Sequence, residues 1–369
     1  MTNFAVNDAL AVKLWGRRLE YDIVYRTDIS PLIGEDENSI IQLKTETSKD
    51  AGDKVTFPLM KKLTGDGFGE GEIAEGNGES LSLYSDSIYI NELGHVVNIP
   101  NKGRSIDAQR VPVNLRQAAR NGLRTWKSER MSVSFFNHVC GYTPQTNLKF
   151  TGNNAIIAPT ATRRIVVDAT GPTVNSVDEN IGTADIFTLN YVDYARELAE
   201  TLDSPIRPIN IGGVNGGSDI MGGKYVMYLH PYQVTDLRTN TNTGQWLDIQ
   251  KAALSGAATS KNPIYTDALG EYNNVILKKA LHVTNGVNSS TGAAIATVKR
   301  AVLLGAQACA MAFSKGDNAA AYNWNEELFD HKRRLEVSIM SMWGLKKTQF
   351  DSKDFGTIVV SSYGAKHTA

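Results

Sequence analysis

Cysteine is scarce in this 369-residue chain, which contains only Cys140 and Cys309. Two thiols are too few for a disulfide framework or for a zinc site made of cysteines, and they fit a reducing cytoplasm. The six histidines are scattered along the chain, without the His-Glu-x-x-His spacing that is typical of a zinc enzyme. We therefore expect no metal and no cofactor.

Long apolar runs are also missing. The longest, from Ala301 to Phe313, contains Gln307 and is shorter than the roughly 20 residues that span a bilayer. Residues 1–11 lack the basic start and apolar centre of a signal peptide. The formal net charge of −1 indicates no overall preference for nucleic acid or membranes. We expect a soluble protein that is made in the cytoplasm and has no membrane partner.

Two glycine-rich stretches come close to phosphate-binding loops without satisfying the patterns. Gly69-x-Gly71-x-x-Ala74 fits the loose dinucleotide pattern, but no helix is predicted after it, and the neighbouring acids would repel a pyrophosphate. Gly222-Gly223-Lys224 is close to a P-loop, yet Tyr225 replaces the Ser or Thr that would hold magnesium. A Gly-x-Ser-x-Gly elbow is absent as well. The sequence therefore predicts that the protein is not an enzyme.

Helical spacing of apolar residues predicts an amphipathic N-terminal helix over residues 6–27. This pattern fits an arm docked on another subunit and an ordinary core helix equally well. From Lys54 the apolar period becomes two, which predicts a strand to Leu59, and a second strand follows over residues 81–90. Pro58 indicates an edge position for the first strand, because proline cannot donate to a ladder.

An acidic, glycine-rich segment joins these two strands. Residues 65–79 contain six glycines and five acids, so the whole unit is predicted to be a long two-stranded ribbon with an acidic tip. A two-stranded ribbon has little core of its own and is marginally stable in isolation. We therefore expect the ribbon to rest on a partner.

The strongest helix prediction covers residues 112–140. Pro112 suits a first turn, and Gly141 followed by Pro144 is typical of a helix end. The predicted apolar stripe consists of Leu115, Ala119, Gly122, Trp126, Val133 and Cys140. Short strands and further helices follow in mixed order, so α+β is the predicted class.

Charge is divided between the ribbon and the long helix. Residues 65–92 contain seven acids and no Lys or Arg, whereas residues 101–130 carry a net charge of +6. Both segments can be solvated faces; alternatively, the ribbon packs over the helix of a neighbouring subunit. The candidate contacts on the ribbon are then Phe57, Asp66, Glu70, Glu72, Glu75, Glu79, Leu81 and Ile88. The basic stripe on the helix, for subunit or DNA contact, is Arg116, Arg120, Arg124 and Lys127.

The order of arm, acidic ribbon, long helix and mixed α/β remainder resembles the Hong Kong 97-type capsid fold of tailed bacteriophages. Local stretches are similar to the coliphage N-four-like major capsid family. These stretches are Val12–Trp15, Lys49–Phe57, Lys62–Gly67, Tyr84–Ser87, Tyr228–Pro231, Ala268–Asn273, Leu304–Ala308, Lys346–Phe350 and Asp354–Gly356. They extend from one end of the chain to the other.

The resemblance implies a division of the chain into five segments. They are an N-terminal arm (1–45), an extended β-hairpin or E-loop (46–102), a peripheral domain with its spine helix at about 112–140 (103–205), an axial domain (206–320) and a return to the peripheral domain (321–369). Spine helices in this fold lie near the inner wall of the shell, so the basic stripe is expected to face packaged DNA or a neighbouring subunit.

The resemblance also implies a structural role in the virion, without catalysis. Copies of the chain are expected to form the pentamers and hexamers of an icosahedral shell around double-stranded DNA, assembled in the bacterial cytoplasm. The expected partners are the chain itself, a portal, nonspecifically bound DNA and a separate scaffolding protein, since no long charged extension precedes the arm. The family also allows a decoration protein. The rival hypotheses are an encapsulin-like compartment shell, which shares the fold, and a cytoplasmic α+β enzyme that binds phosphate.

Overall fold

Two β-sheets and one long helix dominate the computed structural model. It describes residues 29–44, 53–60, 67–70, 75–76, 78, 83–99, 115–168, 171–210, 223–240, 242, 245, 269–314, 322–329, 331 and 334–367. The predicted N-terminal helix therefore lies outside the described residues.

The strands are β1 Ile33–Gly34, β2 Ile41–Lys44, β3 Lys54–Met60, β4 Leu83–Tyr89, β5 Asn91–Ile99, β6 Arg164–Asp168, β7 Gly171–Val174, β8 Ile209–Asn210, β9 Gly223–Leu229, β10 Glu271–Tyr272, β11 Val275–Lys279, β12 Asn285–Val287, β13 Ala294–Leu304, β14 Cys309–Phe313, β15 Asn323–Phe329, β16 Arg334–Lys347, β17 Gln349–Phe350, β18 Lys353–Asp354 and β19 Thr357–Tyr363. The α-helices are α1 Leu115–Val139, α2 Leu148–Thr151, α3 Leu189–Thr201 and α4 Pro231–Thr239. This mixture of elements agrees with the predicted α+β class.

The six-stranded sheet is organised around β16. Its strand order is β1-β2-β14-β16-β15. β14 and β15 pair with different parts of one edge of β16, and β5 pairs with the opposite edge. Leu335, Val337 and Ile339 of β16 are buried beneath α1. Because successive side chains of a strand point to opposite faces, the residues between them face away from α1.

The nine-stranded sheet has the order β10-β11-β9-β13-β19-β6-β7, with β12 beside β13 and β8 beside β9. Its apolar residues form a core with α3 and α4. The predicted segments divide the chain differently from these sheets. β5 lies within the predicted E-loop but belongs to the six-stranded sheet. β6 and β7, from the predicted peripheral domain, belong to the nine-stranded sheet, as does β19.

Helix α1 has 25 residues and is therefore about 37 Å long. It ends as predicted at Gly141, whose φ is +65°. The amides of Gly141 and Tyr142 donate to the carbonyls of His138 and Asn137 at 3.2 and 2.9 Å, the pattern of a Schellman cap. A Cβ at Gly141 would lie 2.7 Å from the Ile157 carbonyl oxygen, so glycine is required for close packing as well as for the turn.

Candidate assembly interface

The ribbon, which comprises β3, β4 and the residues between them, is anchored at its base by its own chain. Phe57 and Ile88 are buried, with exposed fractions of 4% and 0%, against Ala310 and Ala312 of β14. This corrects the prediction that these two residues contact a neighbouring subunit. The small side chains of the two alanines leave room for the larger ones, so the apolar residues of the ribbon base complete an internal cluster.

A largely buried ion pair reinforces the ribbon base. Asp86 of β4 pairs with Lys346 of β16, and its Oδ2 accepts the backbone N–H of Gln349 at 3.1 Å. Lys346 Nζ also donates to the carbonyl of Ser87 at 3.1 Å. The two side chains are only 10% and 18% exposed. Loss of either charge would leave the other desolvated without compensation, which is costly.

The connection between the ribbon and the sheet is held by a side-chain amide. Asn154 accepts the N–H of Tyr89 at 2.9 Å and donates to its carbonyl at 2.8 Å, as a neighbouring strand would do. Gly344 of β16 lies beneath this point, and a Cβ there would be 2.1 Å from the Tyr89 carbonyl oxygen. The ribbon therefore leaves the sheet at a tightly packed junction.

The tip of the ribbon contrasts with its base. Phe68 is 62% exposed, and Glu70 and Glu75 are exposed as well. The remaining predicted contacts, Asp66, Glu72, Glu79 and Leu81, lie outside the described residues. An exposed phenylalanine beside acidic groups gives the tip both an apolar and a negatively charged contact group.

The ribbon base and α1 lie on opposite faces of the six-stranded sheet. Met311 of β14 packs with the α1 core, whereas Ala310 and Ala312 pack with the ribbon. The ribbon base covers the β14 end of the sheet face that is opposite α1. Beyond that end, Val96, Phe329 and Met340 remain 46%, 40% and 42% exposed. We call this side of β5, β15 and β16 the open face.

The predicted basic stripe of α1 is not a single exposed surface. Arg116 donates through Nη2 and Nε to Oε1 of Glu326 at 2.6 and 2.8 Å, and the Trp324 indole donates to the same oxygen at 3.0 Å. The Arg116 side chain remains 44% exposed, and Arg120 and Arg124 are half-buried. Arg116 therefore links α1 to β15 while part of its guanidinium faces outward.

Lys127 does not belong to this stripe, which corrects the prediction. Its exposed fraction is 0%, and Leu123 and Met131, four residues to either side, are buried on the same line of α1. Lys127 Nζ donates to Ser341 Oγ at 2.5 Å and lies 4.9 Å from the centre of the Trp343 ring. Burial, with a smaller contribution from Arg130, lowers the pKa of Lys127 to about 7.

Two buried cations with carboxylate partners lie near the C-terminal end of α1. Arg300 of β13 pairs with Asp178 at 2.7 Å and donates to the Gly141 carbonyl at 2.8 Å. Lys347 of β16 pairs with Asp354 at 2.9 Å. Burial lowers the pKa of Lys347, and Asp354 opposes that shift. Cations near the C-terminal carbonyls of α1 also interact favourably with the negative end of the helix dipole.

A second exposed patch lies on the α1 side of the sheet. The Arg130 guanidinium lies 3.8 Å from the centre of the Phe150 ring and 5.4 Å from Trp126, and His95 stacks on Trp126 at 4.6 Å. Leu148, at the start of α2, is 60% exposed. This patch therefore combines a cation, aromatic rings and an exposed apolar side chain on one surface.

Within the described ranges, no three His, Cys, Asp or Glu side chains are arranged to hold a metal ion. None of the helices in these ranges is long and apolar enough to cross a membrane. His138 is buried and donates to the Thr151 carbonyl at 3.0 Å. Burial lowers its pKa to about 4, so this histidine is neutral at pH 7 and has a structural role.

Known proteins match the chain over nearly its whole length. A family model described as phage capsid protein matches residues 3–366. The chain is 26% identical over 382 residues to the major capsid protein of Pseudomonas phage KPP25, an alignment that covers 97% of this chain and 96% of that protein.

Solved capsid structures share the arrangement of these elements. The capsid of Ralstonia phage GP4 superposes with a TM-score of 0.71 at 26% identity, covering 92% of this chain and 91% of that chain. The Cyanophage Pam1 capsid asymmetric unit gives a TM-score of 0.72 at 21% identity, with coverage of 93% and 94%. The chain therefore shares its fold with these capsid proteins over more than nine-tenths of its length.

Proposed function

The chain belongs to the phage capsid protein family, and from this premise we infer that it is the major capsid protein of a phage. We propose that its copies assemble as pentamers and hexamers into an icosahedral shell around a double-stranded DNA genome. In this role the chain has no catalytic site, and its working surfaces are those that contact other copies. Its location is the virion.

One observation carries the assembly part of the proposal. The ribbon is fixed at its base by Asp86, Lys346 and an apolar cluster, while Phe68 at its tip is 62% exposed. A monomer gains nothing from exposing a phenylalanine on a segment with little core. A neighbouring copy that covers the tip would remove this apolar surface from water, at about 25 cal/mol per Å² buried.

We propose that the partners during assembly are a separate scaffolding protein and a portal, and that assembly takes place in the bacterial cytoplasm. The arginines of α1 support a contact with packaged DNA or a neighbouring copy. Binding to DNA phosphates would be nonspecific and would weaken as salt rises. A map of the filled particle with Arg116, Arg120 and Arg124 all on its outer surface would contradict the DNA version.

Electron microscopy tests the proposed shell. The full chain would be purified after expression alone and after co-expression with the scaffolding protein encoded by the same phage. We expect closed shells of uniform diameter in at least the co-expressed sample. Only monomers or amorphous aggregates in both samples would contradict the proposal.

A further inference from the structure

A cavity of about 170 Å³ lies between the C-terminal end of α3, the β17–β18 hairpin and the turn that precedes β6. Its volume is roughly ten times what a single buried water molecule needs. Arg163, Lys353 and Asp203 contribute charged groups to its lining. Because Lys353 and Asp203 are exposed, the cavity is accessible from solvent.

Arg163 is a buried cation without a carboxylate of its own. Its exposed fraction is 3%, and its Nη1 and Nη2 donate to the carbonyls of Phe355 and Ser204 at 2.9 and 3.0 Å. These carbonyls accept hydrogen bonds but carry no net charge, and Nε is buried without a hydrogen-bond partner. Burial lowers the pKa of Arg163. The surroundings therefore do not fully compensate its positive charge.

Asp354 offsets part of this charge, but its carboxylate is engaged elsewhere. Its Oδ1 pairs with the buried Lys347 at 2.9 Å, and its Oδ2 accepts the N–H of Thr160 at 3.0 Å. Arg163 and Lys347 thus share one carboxylate, and two positive charges against one negative charge leave a net charge of +1. Lys353 adds a further cation at the cavity. An anion bound there would compensate this excess.

We propose that this cavity binds a phosphate group that carries one proton, with Arg163 and Lys353 balancing negative charge and Asp203 accepting the hydrogen of the phosphate. The charges then balance, because the two cations match Asp203 and a phosphate monoanion. The exposed hydroxyl groups of Thr162 and Ser204 also line the cavity and are further donors for the phosphate oxygens. This inference goes beyond the proposed shell function.

Asp203 determines which anion the cavity accepts. A carboxylate repels an anion unless a hydrogen lies between them. Phosphate groups lose their last proton near neutral pH, so inorganic phosphate in mildly acidic solution retains a hydrogen to donate to Asp203. Sulfate and the phosphate diesters of DNA have no such hydrogen. The cavity therefore favours free phosphate or a phosphate monoester over sulfate and DNA.

A larger cavity between α3 and α4 provides a contrast within the same chain. Its volume is about 430 Å³, and the residues that line it include Asp236 but no lysine, arginine or histidine. An anion in that cavity would meet a negative charge without a compensating cation. Charge rather than size therefore identifies the smaller cavity as the phosphate site.

Isothermal titration calorimetry of the full, unassembled chain with inorganic phosphate at about pH 6 tests the proposal. We expect a single phosphate to bind each chain. At equal ionic strength, sulfate should bind about tenfold more weakly, because it lacks the hydrogen bond to a charged group. Asp203→Asn should remove this preference, since the side-chain amide can donate to either ion.

A pair of lysine substitutions provides the matched control. Lys353→Gln should weaken phosphate binding by about tenfold. Lys149→Gln changes an exposed lysine of α2 outside the cavity and should leave phosphate binding unchanged. Both substitutions leave the buried Arg163 in place, so both variants should fold. Glycerol phosphate, a monoester, separates the two sources: displacement of inorganic phosphate indicates a monoester site, and failure to displace it indicates a site for the free ion.

Three results would overturn the proposal: no binding of phosphate, equal binding of phosphate and sulfate by the natural chain, or equal losses in Lys353→Gln and Lys149→Gln. A double-stranded oligonucleotide without terminal phosphates should not displace inorganic phosphate. Displacement would identify the cavity as a DNA contact and would overturn the proposal as well. These measurements do not require shell formation, so their failure leaves the proposed function intact.

Discussion

The middle and the C-terminal end of α1 bury positive charge in different ways. At the end, Arg300 and Lys347 each contact a carboxylate, and Arg300 also contacts a backbone carbonyl. In the middle, Lys127 contacts a hydroxyl group and aromatic rings, and no described carboxylate pairs with it. The comparison teaches that burial does not decide whether a charge stabilises the fold. At the end of α1 the buried cations are neutralised by carboxylates and stabilise the packing there. In the middle of α1, stability depends on whether Lys127 is protonated.

The largest effect is expected at the end of α1. The substitution Asp178→Asn leaves the Arg300 guanidinium buried without its negative partner, which should lower the free energy of unfolding by about 3–5 kcal/mol. Urea unfolding of the unassembled subunit measures this loss. Glu179→Gln, a change of the exposed neighbouring residue, is the control and should cost no more than about 1 kcal/mol. Equal losses in Asp178→Asn and Glu179→Gln would show that the buried Arg300–Asp178 pair contributes no special stability at the end of α1.

In the middle of α1, removal of the buried charge is expected to raise the free energy of unfolding. Lys127→Met keeps a similar volume without a buried charge, so we expect it to raise the free energy of unfolding at pH 7 by about 1–3 kcal/mol. The natural chain should also gain stability between about pH 7 and 10.5, because the unfolded chain retains the lysine proton in that window while the folded chain releases it. Below about pH 7 both states hold the proton, and the full penalty remains.

Urea unfolding at pH 7 and pH 9 tests this second prediction. The contribution of Lys127 to the pH dependence cannot exceed about 1.4 kcal/mol per pH unit, and Lys127→Met should remove it. Lys127→Arg, which remains charged over the whole range, should also remove the slope but lower stability. Parallel pH profiles for all three proteins would show that Lys127 is not the titrating group.

A smaller loss of stability is expected at the ribbon base, where the Asp86 and Lys346 side chains keep 10% and 18% of their exposure to water. Asp86→Asn weakens the bonds to Lys346 and to the Gln349 amide, which should lower the free energy of unfolding by about 1–2 kcal/mol. Hydrogen exchange should accelerate in β3 and β4 before it does in β16. Asp53→Asn, an exposed change at the same end of the ribbon, serves as the control. Unchanged exchange in β3 and β4 would contradict an anchoring role of Asp86.

The smallest effect is expected at the ribbon tip. Glu70→Gln alone should leave the shell yield unchanged, since one exposed ion pair contributes ~0–1 kcal/mol. Replacement of Glu70, Glu72, Glu75 and Glu79 together by lysine should reduce the yield, because the combined field of several charges steers subunits into register. Counting particles by electron microscopy at low and moderate salt measures this. Normal yields of the fourfold lysine variant in both conditions would contradict an electrostatic role of the tip.

The fold class and the structural role could be predicted from the sequence, and both are confirmed by the family match and the solved phage capsids. The predictable elements were those with local signals. The change of period at Lys54 predicted the ribbon, and Gly141 with Pro144 marked the end of α1. These signals lie within a few residues of the structure that they determine.

The faces of the elements were harder to predict. Arg116, Arg120, Arg124 and Lys127 form a plausible basic stripe by spacing alone. The positions of Leu123 and Met131 were the signal that Lys127 lies on the buried side. The Asp86–Lys346 pair joins residues 260 positions apart, which no local pattern can reveal. Both residues nevertheless lie in stretches that resemble the same capsid family, Tyr84–Ser87 and Lys346–Phe350.

The central position of β16 has a consequence for the order of folding. Residues 335–343 pair with residues 91–99 on one edge, and β14 and β15 occupy the other edge. The six-stranded sheet cannot close until the ribosome has synthesised nearly the whole chain, and such long-range pairing is slow to form. The ribbon base depends on Lys346, so it is completed at the same late stage. In a growing chain the ribbon base is therefore not fixed before the six-stranded sheet is complete.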